Sequence, residues 1–269
     1  NGFIKTDIMR NMELVGVTEK DFPSGFEIGS PFIAYGQFYQ PVYVTWGFDM
    51  YEWDFSALWE YRWLLLQGLG LTVSFTAAIV AGGLAIGLLA AMGLLSRFRL
   101  IRVVALMFTE VFRCTPVLVQ LIWCYYALPI LAGIEMTPIT ASLLALSCYG
   151  GAFYAEIIRG GIVSIDAGQR EAGGALGMTP MLAMRRIILP QAIRRMVPAL
   201  MNQSIMQFKN TSLVSVLAVP DLVYQGQMIA HDSFRPLETY SAVAVAYFVI
   251  LFPLTLIVRY REKKHGASQ

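Results

Sequence analysis

Lys209 interrupts an apolar run that begins at Met196 and can be followed to about Val219, and Glu156 directly follows a second run, Met136–Ala155. In hydrocarbon a charge costs about 2.5–3.5 kcal/mol on insertion scales, so Lys209 is expected to face the interior with a partner. It would either meet a substrate carboxylate or serve architecture and gating, and the second role is preferred. Glu156 lies three residues from Arg159 and reads equally as a pathway carboxylate or as half of a helix-face ion pair. Asn202, Gln203 and Gln207 approach one helical face, with Lys209, Asn210 and Thr211 beside them. Polar groups in hydrocarbon turn toward other helices or a water-filled cavity, which makes this set the candidate lining of a substrate pathway.

Other chemistry has little to work with. The two histidines, His231 and His265, stand far apart in sequence, and Cys114, Cys124 and Cys148 lie in apolar stretches without CxxC pairing. A Ser-His-Asp triad, a metal centre and a disulfide framework are therefore not expected. The chain also lacks a G-x-x-x-x-G-K-[ST] loop, so it is expected to bind no cofactor itself and any ATP and magnesium would belong to a partner.

The elements that position these residues are read from composition. Apolar residues make up 57% of the chain and charged ones 14%, against roughly 45–50% and 25% in soluble domains. Residues 1–60 hold three Lys/Arg against nine Asp/Glu, and residues 61–269 hold seventeen against nine. An acidic head thus precedes a basic remainder whose arginines lie between long uncharged runs, a pattern unlike a nucleic-acid binder. A span needs roughly 20 apolar residues. Leu69–Leu95, Cys114–Ile134, Met136–Ala155, Met196–Phe208 extended through Lys209, and Ser241–Val258 give five, the fourth being the weakest. Fourteen Lys/Arg flank the connections after spans one, three and five, against five on the other side. The expectation is an all-α membrane protein with about five crossings, N-out and C-in.

The domains expected are an extracytoplasmic segment over 1–60, a transmembrane domain over 61–261 and a cytoplasmic tail over 262–269. The head carries turn residues (Phe22-Pro23-Ser24-Gly25, Tyr39-Gln40-Pro41) and interfacial aromatics around Trp46, Trp53, Trp59 and Trp63, in a chain read as truncated or processed upstream. No internal repeat stands out. Gly83 and Gly87 form a small-xxx-small packing pair, and Thr115-Pro116 marks a kink.

The connection Arg159–Arg195 is long but reads as folded. Asp166 with Gln169 suggests a capping box, Gly177 a left-handed helix end, and Thr179-Pro180 a second helix start. A short helix Met181–Ile188 stopped by Pro190 would follow, with Met181, Leu182, Met184, Ile187 and Ile188 opposite Arg185 and Arg186. Such a compact knob suits another protein's groove.

Glu171-Ala172-Gly173, three residues, Gly177, nine residues, then Ile187-x-Leu189-Pro190 resembles the EAA loop of ABC-importer permeases, with Gly173 in place of the second alanine. Tyr154–Ile162, Gly168-Gln169-x-Glu171-Ala172, Leu189-Pro190-Gln191-Ala192, Pro198 with Asn202, and Lys209-Asn210-Thr211-Ser212-Leu213 resemble the polar amino acid branch, the histidine/glutamine/glutamate type. Phe112-Arg113-Cys114-Thr115-Pro116 is similar to that branch's arginine-Gly-Thr-Pro segment, with Cys114 replacing glycine. Similarity covers about Leu64 to Arg261 and leaves the head unexplained.

The resemblance implies a non-catalytic, multi-pass permease subunit of the bacterial inner membrane that imports a polar amino acid. Its partners would be a second permease subunit (a homodimer or, preferred, a heterodimer), two ATP-binding subunits and an extracytoplasmic substrate-binding protein. It also implies ATPase coupling through the loop 166–190, with Glu171 holding the loop in the ATPase groove, Gly177 setting its corner, and Ala172, Arg185, Arg186, Leu189 and Pro190 around them. A self-sufficient secondary transporter or channel is the alternative, but it would have no use for a docking knob. A purely structural anchor would leave the polar residues inside the spans unexplained.

Overall fold

A computed structural model of the chain describes residues 52–266, so the expected features at 1–51, among them the two turns and Trp46, lie outside the described residues. The described elements are α1 (Ser56–Glu60), α2 (Arg62–Leu94), α3 (Arg99–Cys114), α4 (Val117–Ala132), α5 (Pro138–Val163), α6 (Ala167–Ala175), α7 (Pro180–Ala183), a π-helical turn (Met184–Ile188), α8 (Leu189–Asn210), a 3-10 segment (Thr211–Leu217), α9 (Leu222–Ser233) and α10 (Pro236–Gly266). α10 runs into the stretch expected as a tail. The compact unit holding the helices begins at Trp53, ahead of the expected boundary at 60. The physical reason is a latch: the Asp54 N–H donates to Glu238 Oε1 at 3.1 Å, and Arg235 reaches the same carboxylate at 3.4 Å.

Three helices, Arg62–Leu94, Pro138–Val163 and Pro236–Arg261, are each long and apolar enough to cross a membrane. Among the described residues, five crossings result only if two bent pairs each count as one span. The second expected span is one of these pairs, because Pro116 has no N–H for a continuous helix and Thr115 is driven into extended backbone at ψ 144°. α3 and α4 therefore meet at 109°. The carbonyls freed at the corner are held by Gln120, whose Nε2 donates to Phe112 O at 2.9 Å and to Thr115 O at 3.0 Å. In the fourth span α8 passes through the 3-10 segment and bends by 49° into α9. The Leu222 N–H at the start of α9 donates to Thr72 Oγ1 on α2 at 3.0 Å, tying the bend to the first long helix.

α2 and α5 pack closely through glycines on both faces. A Cβ on Gly87 would fall 2.6 Å from Tyr154 Cβ, and one on Gly151 would fall 2.6 Å from Ile86 Cγ2. Without a hydrophobic drive between helices in lipid, close van der Waals approach is what holds such a pair together. Two apolar clusters fill the interior. One joins Phe75, Ile79, Leu121, Leu146 and Val214; the other joins Ala91, Leu94, Ala105, Ile158, Ile165, Ile188 and Met196. The second cluster anchors the segment between α5 and α8.

Candidate functional site

Residues 166–190 fold as a two-armed corner. Asp166 caps α6, its Oδ1 accepting from the Gly168 N–H at 2.6 Å. The expected capping box does not form, because Gln169 turns its Oε1 to the Nε2 of Gln191 at 3.3 Å and so bridges the two arms. α6 ends at Ala175, and Gly177 just beyond it turns left-handed with φ +73°. The Gly177 N–H donates to Gly174 O at 2.9 Å and the Met178 N–H to Gly173 O at 3.0 Å. This pairing satisfies the last carbonyls of the helix and requires the left-handed residue at the corner. No atom lies within 4 Å of a Cβ built on Gly177, so backbone conformation alone demands glycine there. Gly173 is different: its Cβ would fall 3.2 Å from Ala183 Cβ, so the missing side chain lets the arms close.

Thr179 caps the second arm, its Oγ1 accepting from the Leu182 N–H at 3.3 Å with Pro180 at the helix start. Pro190 does not stop this arm. The chain stays helical from α7 through the π-helical turn into α8, with Pro190 in the first turn of α8 where its missing N–H is tolerated. Gln191 Nε2 donates to Ile187 O at 3.0 Å across that turn. The expected apolar face divides: Ile188 is buried and Met184 and Ile187 are half-buried, whereas Met181 is 76% exposed. Leu176, just before the corner, is 76% exposed as well. Glu171, Ala172, Gly177, Arg185, Arg186, Leu189 and Pro190 are all exposed around this tip. The sequence pattern places Met181 on the apolar side of the knob but does not single out Leu176; two apolar residues flanking a glycine corner were the available signal.

The polar residues of α8 separate onto different sides. Arg195, Ala199, Asn202, Met206 and Lys209 are exposed in one stripe at alternating four- and three-residue spacing, the repeat of a single helical face. Gln203 is half-buried. Gln207 is fully buried and donates from Nε2 to Leu146 O on α5 at 2.8 Å, fitting where Gly150 has no side chain. Asn210 donates to Gln207 Oε1 at 3.3 Å, and buried Thr211 donates to Phe208 O at 2.6 Å. Gln207 and Thr211 thus occupy the packing between this chain's own helices and do not share the face of Asn202.

Lys209 departs from expectation. It is exposed, and among the described residues no carboxylate lies within 4.0 Å of it. The helical phase of Lys209 matches Asn202 and Met206, which places it on the open stripe and away from the interior. Glu156 is engaged by Arg159, whose NH2 group donates to Glu156 Oε2 at 2.8 Å and whose Nε reaches both carboxylate oxygens.

Residues 83–265 match the family described as binding-protein-dependent transport system inner membrane component. The chain is 42% identical to the glutamine transport system permease protein GlnP of Escherichia coli (strain K12) over 214 residues, 79% of this chain and 98% of the relative. It is 36% identical to the glutamate/aspartate import permease protein GltK of Escherichia coli O157:H7 over 222 residues, 80% and 99% of the two. Its fold is similar, with TM-score 0.74 and 37% identity, to a chain in the crystal structure of an amino acid ABC transporter with histidines, covering 79% of this chain and 99% of that one. A chain of the MetNI methionine ABC transporter in an inward-facing form shares the fold at TM-score 0.61 and 20% identity, over 75% of this chain and 98% of that one.

Proposed function

The chain belongs to the family of binding-protein-dependent transport system inner membrane components, and from that premise we propose that it is the permease subunit of an ATP-driven importer for polar amino acids. Its multi-pass helices form the translocation pathway, and the 166–190 corner docks on a separate ATPase subunit. The observation that carries this reading is the corner itself: a left-handed Gly177 between two capped arms that project Leu176 and Met181 into the open. Burying two large apolar side chains in a partner's groove supplies the attachment, and a helix pair anchored through Ile165 and Ile188 transmits force to α5 and α8. Glu171, Arg185 and Arg186 surround the tip with charges that set its orientation in that groove.

A partner ATPase holds ATP and magnesium in this account, a substrate-binding protein delivers cargo on the opposite membrane face, and a second permease subunit, preferably a different chain, completes the path. The arginine-rich side, including the corner, faces the cytoplasm of a bacterial inner membrane. The exposed stripe of Asn202, Met206 and Lys209 is the part of α8 that faces that path, with Gln203 and Asn210 at its edge. Glu156 stands near the inner end of the path as an ion pair with Arg159. Similarity to permeases named for glutamine and for glutamate/aspartate supports the cargo class.

The test is reconstitution of the complex in vesicles with its ATPase and binding protein. ATP hydrolysis and uptake are expected to rise together on adding glutamine, glutamate or a related polar amino acid. Uptake that proceeds at full rate without the ATPase, driven by an ion gradient, would establish a self-sufficient carrier instead.

A further inference from the structure

α3 is a two-faced helix set almost at right angles to its successor. Leu100, Val104, Met107 and Val111 lie along one side and are 76%, 62%, 61% and 53% exposed, while Arg99, Arg102 and Arg113 mark the other. Between the two sides, buried Ala105 and Thr109 are the positions that pack inward, Ala105 against Gly93 of α2. α4 has sixteen residues, about 24 Å of helix, and relative to an α4 set along the membrane normal a helix meeting it at 109° lies nearer the membrane plane than the normal. An amphipathic helix in that attitude rests in the headgroup layer with its apolar side toward the acyl chains.

Two further observations specify the lipid. A groove of about 560 Å³ runs between α2 and α3, lined by Ile86, Leu89, Leu100, Ile101, Val104 and Phe108. Arg97, Arg99 and Arg102 gather at the same end of α3, and among the described residues none has a carboxylate within 4.0 Å. Arg97 stacks on Phe98 at 5.3 Å, which leaves its guanidinium edge available to a phosphate. We propose that α3 is an interfacial helix that selects an anionic phospholipid of the phosphatidylglycerol type, its acyl chain in the α2–α3 groove and its headgroup held by Arg97, Arg99 and Arg102. Ala105 on the inward side shares an apolar cluster with Ile165 and Ile188, so the lipid bears on the helix that buttresses the base of the 166–190 corner.

The test uses the assembled complex in vesicles of equal phosphatidylcholine and phosphatidylglycerol, with spin-labelled lipid of each kind as the probe. The native complex is expected to enrich phosphatidylglycerol over phosphatidylcholine at its boundary. Arg99→Gln with Arg102→Gln is expected to cut that preference by about fivefold or more, a fivefold factor being the weight of one surface arginine at an anionic membrane. A preference that survives the double change, or none in the native complex, overturns the proposal. The site is checked separately with nitroxide labels on a Cys114→Ala, Cys124→Ala, Cys148→Ala background. A label at Val104→Cys should meet oxygen from the bilayer and not a water-soluble nickel chelate, and one at Leu106→Cys, on the arginine side, should meet the chelate. A Val104 label shielded from both reagents would mean that a second protein chain covers the face, and would also overturn the proposal. Neither readout depends on ATP hydrolysis or cargo, so both stand apart from the transport reading.

Discussion

The 166–190 corner and the 202–210 stretch of α8 are both rich in polar and small residues, but their shapes have different origins. In the corner each feature is settled within a few residues: Asp166 and Thr179 cap, Gly177 turns left-handed, and Gln191 spans one turn. In α8 the side chains share one regular backbone, and only packing against α5 decides that Gln207 is buried while Asn202 and Lys209 are not. A local device is broken by a change that its backbone cannot adopt. A packed device is broken by a change that leaves a partner unsatisfied.

The largest expected effect separates these two kinds of failure. Gly177→Val places a β-branched side chain at φ +73°, at a cost of about 1–2 kcal/mol or more in the corner. Because nothing crowds the position, the membrane helices should assemble normally while ATPase association and transport fall at least tenfold; Gly177→Ala should lose less. Affinity co-purification with the ATPase measures this directly. Next comes Gln207→Leu, which strips Leu146 O of its donor in a dry interior and should lower thermal stability of the complex by about 1–3 kcal/mol. A melting measurement in detergent unchanged from the native complex would place Gln207 outside the packing.

Met181→Asp should act on docking alone, because the residue is 76% exposed. ATPase binding should weaken severalfold in a pull-down, with the melting temperature unmoved. The smallest structural effect is expected from Lys209→Met. Since among the described residues no carboxylate lies within 4.0 Å of it, the subunit should keep its fold and yield, and the loss should appear in uptake kinetics. A fall in monomer stability would show that Lys209 has a partner within the chain after all.

Much of the corner was legible because caps and positive-φ glycines act through their own backbone, so Asp166, Gly177 and Thr179 could be read one at a time. The kink at Thr115-Pro116 was legible for the same reason, though the 109° angle was not, since it depends on how α3 seats against α2 and α5. Pro190 was misjudged as a stop. A proline in the first turn of a helix loses nothing, and the register that puts it there is set by the preceding π-helical turn. The facing of Gln207 and Lys209 was beyond sequence reasoning: their positions differ by two residues, and the cavity that Gly150 opens for one of them lies nearly sixty residues away.

The proposed docking surface for the ATPase is the tip around Gly177. A cysteine in place of Leu176 or Met181, with Cys114, Cys124 and Cys148 changed to alanine, can be joined by a short bifunctional reagent to whatever lies against it in the assembled transporter. A cross-linked product containing the ATPase subunit is expected from either position, and none from a cysteine at Trp59 in α1. An intact complex in which neither tip cysteine reaches the ATPase, while the Trp59 position does, would contradict it.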